Sequence, residues 1–221
     1  MEQQETLLQY FEWYLPAGGG HWRQTAADAA HLAALGFTGV WLPPAYKGHQ
    51  GLADVGYGVY DLYDLGEFDQ KGTVPTKYGL REEYLDAIRA LQANGVKVYA
   101  DIVLNHRMGA DEAEEVYAQK SAANDRNRDV SPSAPITAWT RFTFPGRGGK
   151  YSDFQWDWTC FDGVDWDDRH VVSAIYRFEG KTWDGQVDGE NGNYDYLMGA
   201  DLDMCAPKVI EELDRWGKWY L

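Results

Sequence analysis

The sequence predicts an α/β chain in which a parallel sheet carries helices on its faces and a β-rich segment follows the third strand. Two successive units of Ala/Leu-rich helix, glycine and short apolar strand point to the sheet, because parallel strands buried on both faces show little polar alternation. From Arg107 to Pro207 that alternation gives way to about a hundred residues dense in Trp, Asp and Gly, and it returns in a helix opened by the proline.

The elements follow in order. Residues 7–10 (LLQY) read as a short buried strand, and after Gly18-Gly19-Gly20 an Ala/Leu-rich helix runs from about Trp22 to Leu35 with Gly36 as its stop. Phe37–Leu42 (FTGVWL) is continuously apolar between Gly and Pro43-Pro44, which marks a second strand. A loop of some 35 residues precedes a second amphipathic helix, whose stripe is Leu80, Tyr84, Ala87, Ile88 and Leu91 and whose stop is Asn94-Gly95. Val96–Leu104 (VKVYADIVL) is the third strand, and ligand chemistry in such sheets collects at the C-terminal strand ends. Arg107–Pro207 reads as a separate, loop-rich, mostly β subdomain. Pro207 then opens a helix with Val209 or Ile210, Leu213, Trp216 and Tyr220 on its apolar face. That helix reaches Leu221 uncapped, and three parallel strands would leave a bare edge, so the expectation is the N-terminal part of a larger protein.

The length of 221 residues suits one domain, or one and a half. With 44% hydrophobic residues and ten Trp, the chain has the composition of a globular protein with a sizeable core. Twenty Lys+Arg stand against 35 Asp+Glu, a net charge of −15 that disfavours nucleic acid and anionic membrane as partners and leaves metal ions and neutral ligands open. No stretch approaches a membrane span, and MEQQETLLQY lacks the basic and apolar regions of a signal peptide, so a cytoplasmic protein is expected. The two cysteines, Cys160 and Cys205, make no disulfide framework or metal spacing and read as ordinary thiols.

Three groups of residues could carry chemistry. Asp101, Asn105 and His106 sit at the end of the third strand, where buried polar groups are costly unless paired; a functional site and a structural hydrogen-bonded turn are the two readings. Among many acids, Asp153, Asp157, Asp165, Asp167, Asp168 and Asp188 read as a solvated face. Asp195, Asp201 and Asp203, in NYDYLMGADLDM, lie among apolar residues and would need compensation. Hard oxygen donors drawn together favour Ca²⁺ over Zn²⁺, although the spacing matches no EF-hand loop. Tyr57, Tyr60 and Trp13 could stack on sugar faces, or they could simply be core. No phosphate-binding glycine loop, Ser-His-Asp order, HExxH or CxxC is present.

Taken together, QYFEWY, ADVGYGVYDLYDLGEFDQKGTVPTKYG, DIVLNHRMGAD, FPGRGGKYSDFQWDW and ENGNYDYLMGADLDM resemble bacterial α-amylases of the liquefying and cytoplasmic type, across essentially the whole chain. The resemblance implies a (β/α)₈ TIM barrel with a β-rich metal-binding subdomain inserted after the third strand. It divides the chain into residues 1–106, the first part of the barrel, residues 107–207, the insert, and residues 208–221, the start of the third barrel helix. The implied reaction is retaining endo-hydrolysis of α-1,4-glucosidic bonds in starch-like or glycogen-like glucans. The three catalytic carboxylates of such enzymes lie at later strands, beyond Leu221, so no Asp or Glu here is expected to be nucleophile or acid, and the fragment is expected to be inactive alone.

Residue by residue, Tyr57 resembles the ring that stacks on the sugar at the cleavage point, and His106 the histidine bonding a hydroxyl of that sugar. Asp101 resembles a strand-end aspartate that orients neighbouring groups, and Trp13, by the aromatic stacking argued above, is expected to be a further substrate-binding residue. Asn105, Asp195 and Asp201 resemble ligands of a structural calcium. Asp162, Asp184 and Asp203 match positions that hold further ions in some secreted relatives, but DLDMCAP departs from those relatives around Cys205 and Ala206. The full-length protein is expected to be a monomer acting on α-glucan. The competing readings are a non-catalytic glucan- or calcium-binding fragment and an α-glucan transglycosylase.

Overall fold

The structure, a computed structural model, describes residues 5–221, so the first four residues of the N-terminal stretch MEQQ lie outside it. The chain divides into two compact units, the first ending at Val103 and the second running Leu104–Leu221.

In the first unit, β1 (Leu7–Gln9) leads to α1 (His21–Ala34) and β2 (Gly39–Leu42). The hairpin of β3 (Lys47–Gly48) and β4 (Val59–Asp61) is followed by α2 (Arg81–Ala93) and β5 (Lys97–Ala100). β1, β2 and β5 form the expected parallel sheet in the order β1-β2-β5, with Leu7 opposite Gly39 and Leu42 opposite Ala100. Val40 and Leu42 on the central strand are fully buried. α1 turns Trp22, Ala29 and Leu32 inward, α2 turns Tyr84, Ala87 and Leu91, and the rings of Trp22 and Tyr84 meet at 4.8 Å. Gly36 ends α1 at φ +92°, a left-handed conformation that a side chain resists, with its N–H on the carbonyl of Ala33.

Two expectations are corrected here. The third strand stops at Ala100, four residues early, so only Asp101 sits at its end, while Asn105 lies in the loop beyond it and His106 opens a separate strand. The 35-residue loop contains a two-stranded hairpin built around buried polar groups. Lys47, fully buried, gives Nζ to the carbonyls of Thr73 (2.5 Å), Val74 (2.8 Å) and Phe68 (3.1 Å) and lies 3.4 Å from Asp64. Asp64 in turn accepts from the N–H groups of Gly66, Glu67 and Phe68 and from Gln70.

The second unit is a largely antiparallel β structure with one helix. Its strands are β6 (His106–Arg107), β7 (Glu112–Ala122), β8 (Asp125–Asp129), β9 (Ala134–Arg141), β10 (Phe161–Asp167), β11 (Val172–Phe178) and β12 (Ala200–Leu202). They pair in the order β6-β12-β10-β11-β7-β8, with β9 also on β7. Phe142, Phe161, Trp156 and Phe178 fill the core. The final helix, α3 (Pro207–Tyr220), begins at Pro207 as expected and buries Val209 and Trp216, leaving Ile210 half exposed. It also buries Glu212, which accepts from Ser152 Oγ at 2.7 Å. Asp167 is corrected from the solvated face to the interior: it is 2% exposed and holds the N–H groups of Thr137 and Arg169 and the ring of His170. Among the described residues no helix is long and apolar enough to cross a membrane.

Candidate functional site

In the first unit the chain beyond β1 and the loop before β4 bring two aromatic rings together. Trp13 and Tyr57 lie parallel within 5°, their centroids 6.0 Å apart, beside a cleft of about 300 Å³ whose walls include Phe11, Trp41 and Tyr78. Trp13 is 60% exposed, so its face is open to a ligand. The Tyr57 hydroxyl donates to Asp101 Oδ2 at 2.8 Å, and burial together with that bond pushes the hydroxyl well above the usual tyrosine range. It stays protonated and fixed.

The loop that carries Tyr57 is organised by Asp54, whose Oδ1 accepts from the N–H groups of Gly56 (2.8 Å) and Gly58 (3.2 Å). Its Oδ2 sits 2.9 Å from His49 Nδ1. Sequence reasoning passed over Asp54, which organises this loop, and Trp41 and Tyr78, which only the fold brings to the cleft. Tyr60 is core: it is 1% exposed, with Lys71 Nζ over its ring at 3.9 Å.

In the second unit the acidic residues converge. Asp162 on β10, Asp201 on β12 and Asp195 in the preceding loop each turn a carboxylate oxygen into one place, all within 4.8 Å of one another and all buried. Oδ2 of Asp162 and Oδ2 of Asp201 are buried without a hydrogen-bond partner. Burial, then the charges of Asp195 and Asp162, push Asp201 up to about 9; burial, then the charge of Asp203, push Asp162 up to about 8. Uncompensated buried carboxylates are costly, and a hard divalent cation is the partner whose chemistry answers them. The residues present therefore fit such an ion.

The remaining predicted ligands lie around this centre. Asn105 donates Nδ2 to the carbonyl of Tyr196 (2.6 Å) and to Asp201 Oδ1 (3.3 Å). Asp195 Oδ2 accepts from the N–H of Asp184 at 2.7 Å, and burial raises the Asp184 carboxyl, helped by Asp195 and Asp203. Asp203 is paired with Lys181. His106, 4% exposed, stands opposite Asp201 in the β6–β12 ladder, with the ring of Tyr196 6.2 Å away.

Comparison with known proteins follows the same lines. The family described as "Alpha amylase, catalytic domain" matches residues 12–221, and the chain belongs to that family. It is 58% identical over 218 residues to an alpha-amylase of Geobacillus stearothermophilus, an alignment covering 98% of this chain and 40% of that protein. It is 46% identical to the cytoplasmic alpha-amylase of Escherichia coli (strain K12), covering 98% of this chain and 44% of that one. The chain thus spans about two-fifths of the length of these relatives. A solved structure of an alternansucrase in complex with isomaltotriose matches with a TM-score of 0.55 at 24% identity, over 63% of this chain and 13% of that one, a likeness of fold alone.

Proposed function

We propose that the protein is an α-amylase-type glycoside hydrolase that cleaves α-1,4-glucosidic bonds of starch- or glycogen-like glucans with retention, and that this chain supplies part of its substrate cleft and its calcium centre. The observation that carries the reading is the parallel pair of exposed Trp13 and partly buried Tyr57, with Tyr57 tied to Asp101, in a chain of this family. Flat aromatic faces suit the C–H faces of glucose rings, and a hydroxyl held by a carboxylate keeps its ring from turning away.

In this reading residues 1–106 are the first three βα units of a (β/α)₈ barrel, residues 107–207 the inserted subdomain, and residues 208–221 the start of the third barrel helix. Tyr57 and Trp13 carry the sugar, His106 donates to one of its hydroxyls, and Asp101 orients Tyr57. Asp162, Asp195 and Asp201, with Asn105, Asp184 and Asp203 around them, hold structural Ca²⁺, which neutralises the buried carboxylates and rigidifies the strands that carry them. The nucleophile and the general acid belong to later strands of the whole protein. We assign the protein to the cytoplasm as a monomer, the compartment being supported by the name of the Escherichia coli relative.

The test is binding and cleavage by the 221-residue chain itself. It should bind a soluble linear α-1,4-glucan, read by tryptophan fluorescence, ignore the β-1,4 isomer, and leave starch uncut. Failure to bind would contradict the substrate, and cleavage that survives repurification would contradict the placing of the carboxylates.

A further inference from the structure

Within the second unit, β7, β9, β10 and β11 and the segments leading into β9 and β11 line a cleft of about 280 Å³ that neither the glucan nor the calcium reading uses. Ala118, Pro132, Pro135 and Ile136 give it apolar walls. Its shape is set before any ligand arrives. The β7–β9 ladder fixes Ala134 opposite Ala118 and Ile136 opposite Val116, and Ser131 Oγ accepts from the N–H of Lys120 at 2.9 Å.

Polar groups stand among these walls. Tyr176 on β11 is 2% exposed, and its hydroxyl is buried with no hydrogen-bond partner. Such a hydroxyl is costly, and it marks a place where an acceptor belongs. Lys120, opposite Tyr176 in the β7–β11 ladder, holds Nζ 5.5 Å from the centroid of that ring and makes no ion pair among the described residues. Asp167 also lines the cleft, but its carboxylate is already satisfied: Oδ1 accepts from the N–H groups of Thr137 and Arg169, and Oδ2 lies 2.5 Å from His170 Nδ1.

We propose that this cleft binds a small monocarboxylate with an apolar body, its carboxylate answering the charge of Lys120 and accepting from the Tyr176 hydroxyl while its body lies against the proline and isoleucine walls. An inorganic anion would leave those walls wet, a polyol would set hydroxyls against them, and an uncharged apolar molecule would leave Lys120 and Tyr176 unanswered. The net charge of −15 repels anions in general, so an anion held here is held by the site. The inference rests on neither glucan cleavage nor calcium, and every residue it uses belongs to the second unit.

The experiment is calorimetric titration of the 221-residue chain with benzoate at constant ionic strength, repeated with benzyl alcohol, which has the ring without the charge, and with inorganic phosphate, which has charge without the ring. Benzoate should fill a single saturable site, and the other two should bind at least about tenfold more weakly. Lys120→Met keeps the reach of the side chain, removes its charge, and should weaken benzoate binding by at least about tenfold. Tyr176→Phe should weaken it by about fivefold, as loss of one hydrogen bond does, without lowering the melting temperature, because the hydroxyl it deletes has no partner in the free protein. That variant decides the question even where Lys120→Met fails to fold. Absence of saturable benzoate binding, wild-type affinity in Tyr176→Phe or in folded Lys120→Met, or equal affinity for benzyl alcohol or phosphate would each overturn the site. Displacement of benzoate by a linear maltooligosaccharide would overturn it too, making the cleft a sugar subsite.

Discussion

The hydroxyl of Tyr57 and the carboxylate of Asp101 are 2.8 Å apart, which joins the loop before β4 to the chain leaving β5. Because Tyr57 also lies parallel to Trp13, one hydrogen bond sets the angle of the aromatic surface.

Tyr57→Phe keeps the ring and removes the bond. It should cost about 1 kcal/mol of stability in urea unfolding, the ordinary net worth of one hydrogen bond, and should weaken glucan binding, less than loss of the whole ring does, because the ring is no longer held at its angle.

Lys47 is the cation at the centre of the hairpin loop, and burial pulls its ammonium below the usual range while Asp64 acts against that shift. Lys47→Met should destabilise the chain by about 3–5 kcal/mol in thermal or denaturant unfolding, because Asp64 would stay buried without its counter-charge.

Burial acts to raise the Asp54 carboxyl, but the His49 ring and the N–H groups of Gly56 and Gln50 outweigh it and hold the carboxyl below its usual range. A folded value below the unfolded one, ~3.9, stabilises the protein above about pH 4, and that contribution is lost as pH falls through the folded value. The stability gap between wild type and Asp54→Asn, measured by urea unfolding at a series of pH values, should be full at neutral pH and shrink below about pH 4.

Chelation should lower the melting temperature. If free Ca²⁺ is a hundredfold above its dissociation constant, binding contributes about 2.7 kcal/mol, or roughly 5–10 °C for a chain of this size. Asp201→Asn should lower the melting temperature in Ca²⁺, where a ligand is lost, and raise it or leave it unchanged in chelator, where one of three converging carboxylates is neutralised.

Much of the first unit was legible because its signals are local. The stripe of Tyr84, Ala87 and Leu91 and the stop at Gly36 depend on neighbours in sequence, and α1, α2, β2 and α3 all fall within a few residues of where those signals put them. The third strand was read too long because Ile102, Val103 and Leu104 are apolar, whereas pairing to β2 ends opposite Leu42. The hairpin of β3 and β4 was hidden because Lys47, Asp61 and Asp64 are polar residues whose burial is compensated by backbone carbonyls, backbone N–H groups and Gln70 that folding brings to them. Asp167 was misread for a similar reason, since its partner Thr137 lies 30 residues away in sequence and is joined to it by folding. The resemblance set Asp195 and Asp201 with Asn105 and placed Asp162 with Asp184 and Asp203, whereas the carboxylate oxygens that converge are those of Asp162, Asp195 and Asp201, because β10 and β12 are neighbours only once folded.

The claim that the Trp13–Tyr57 surface holds α-glucan is tested most directly by calorimetric titration of the 221-residue chain and its Tyr57→Ala variant with a linear α-1,4-linked maltooligosaccharide. The account predicts saturable binding by the wild type and affinity reduced by at least about tenfold, ~1.4 kcal/mol, in the variant. Equal affinity for the two proteins, or no binding by the wild type, would contradict it.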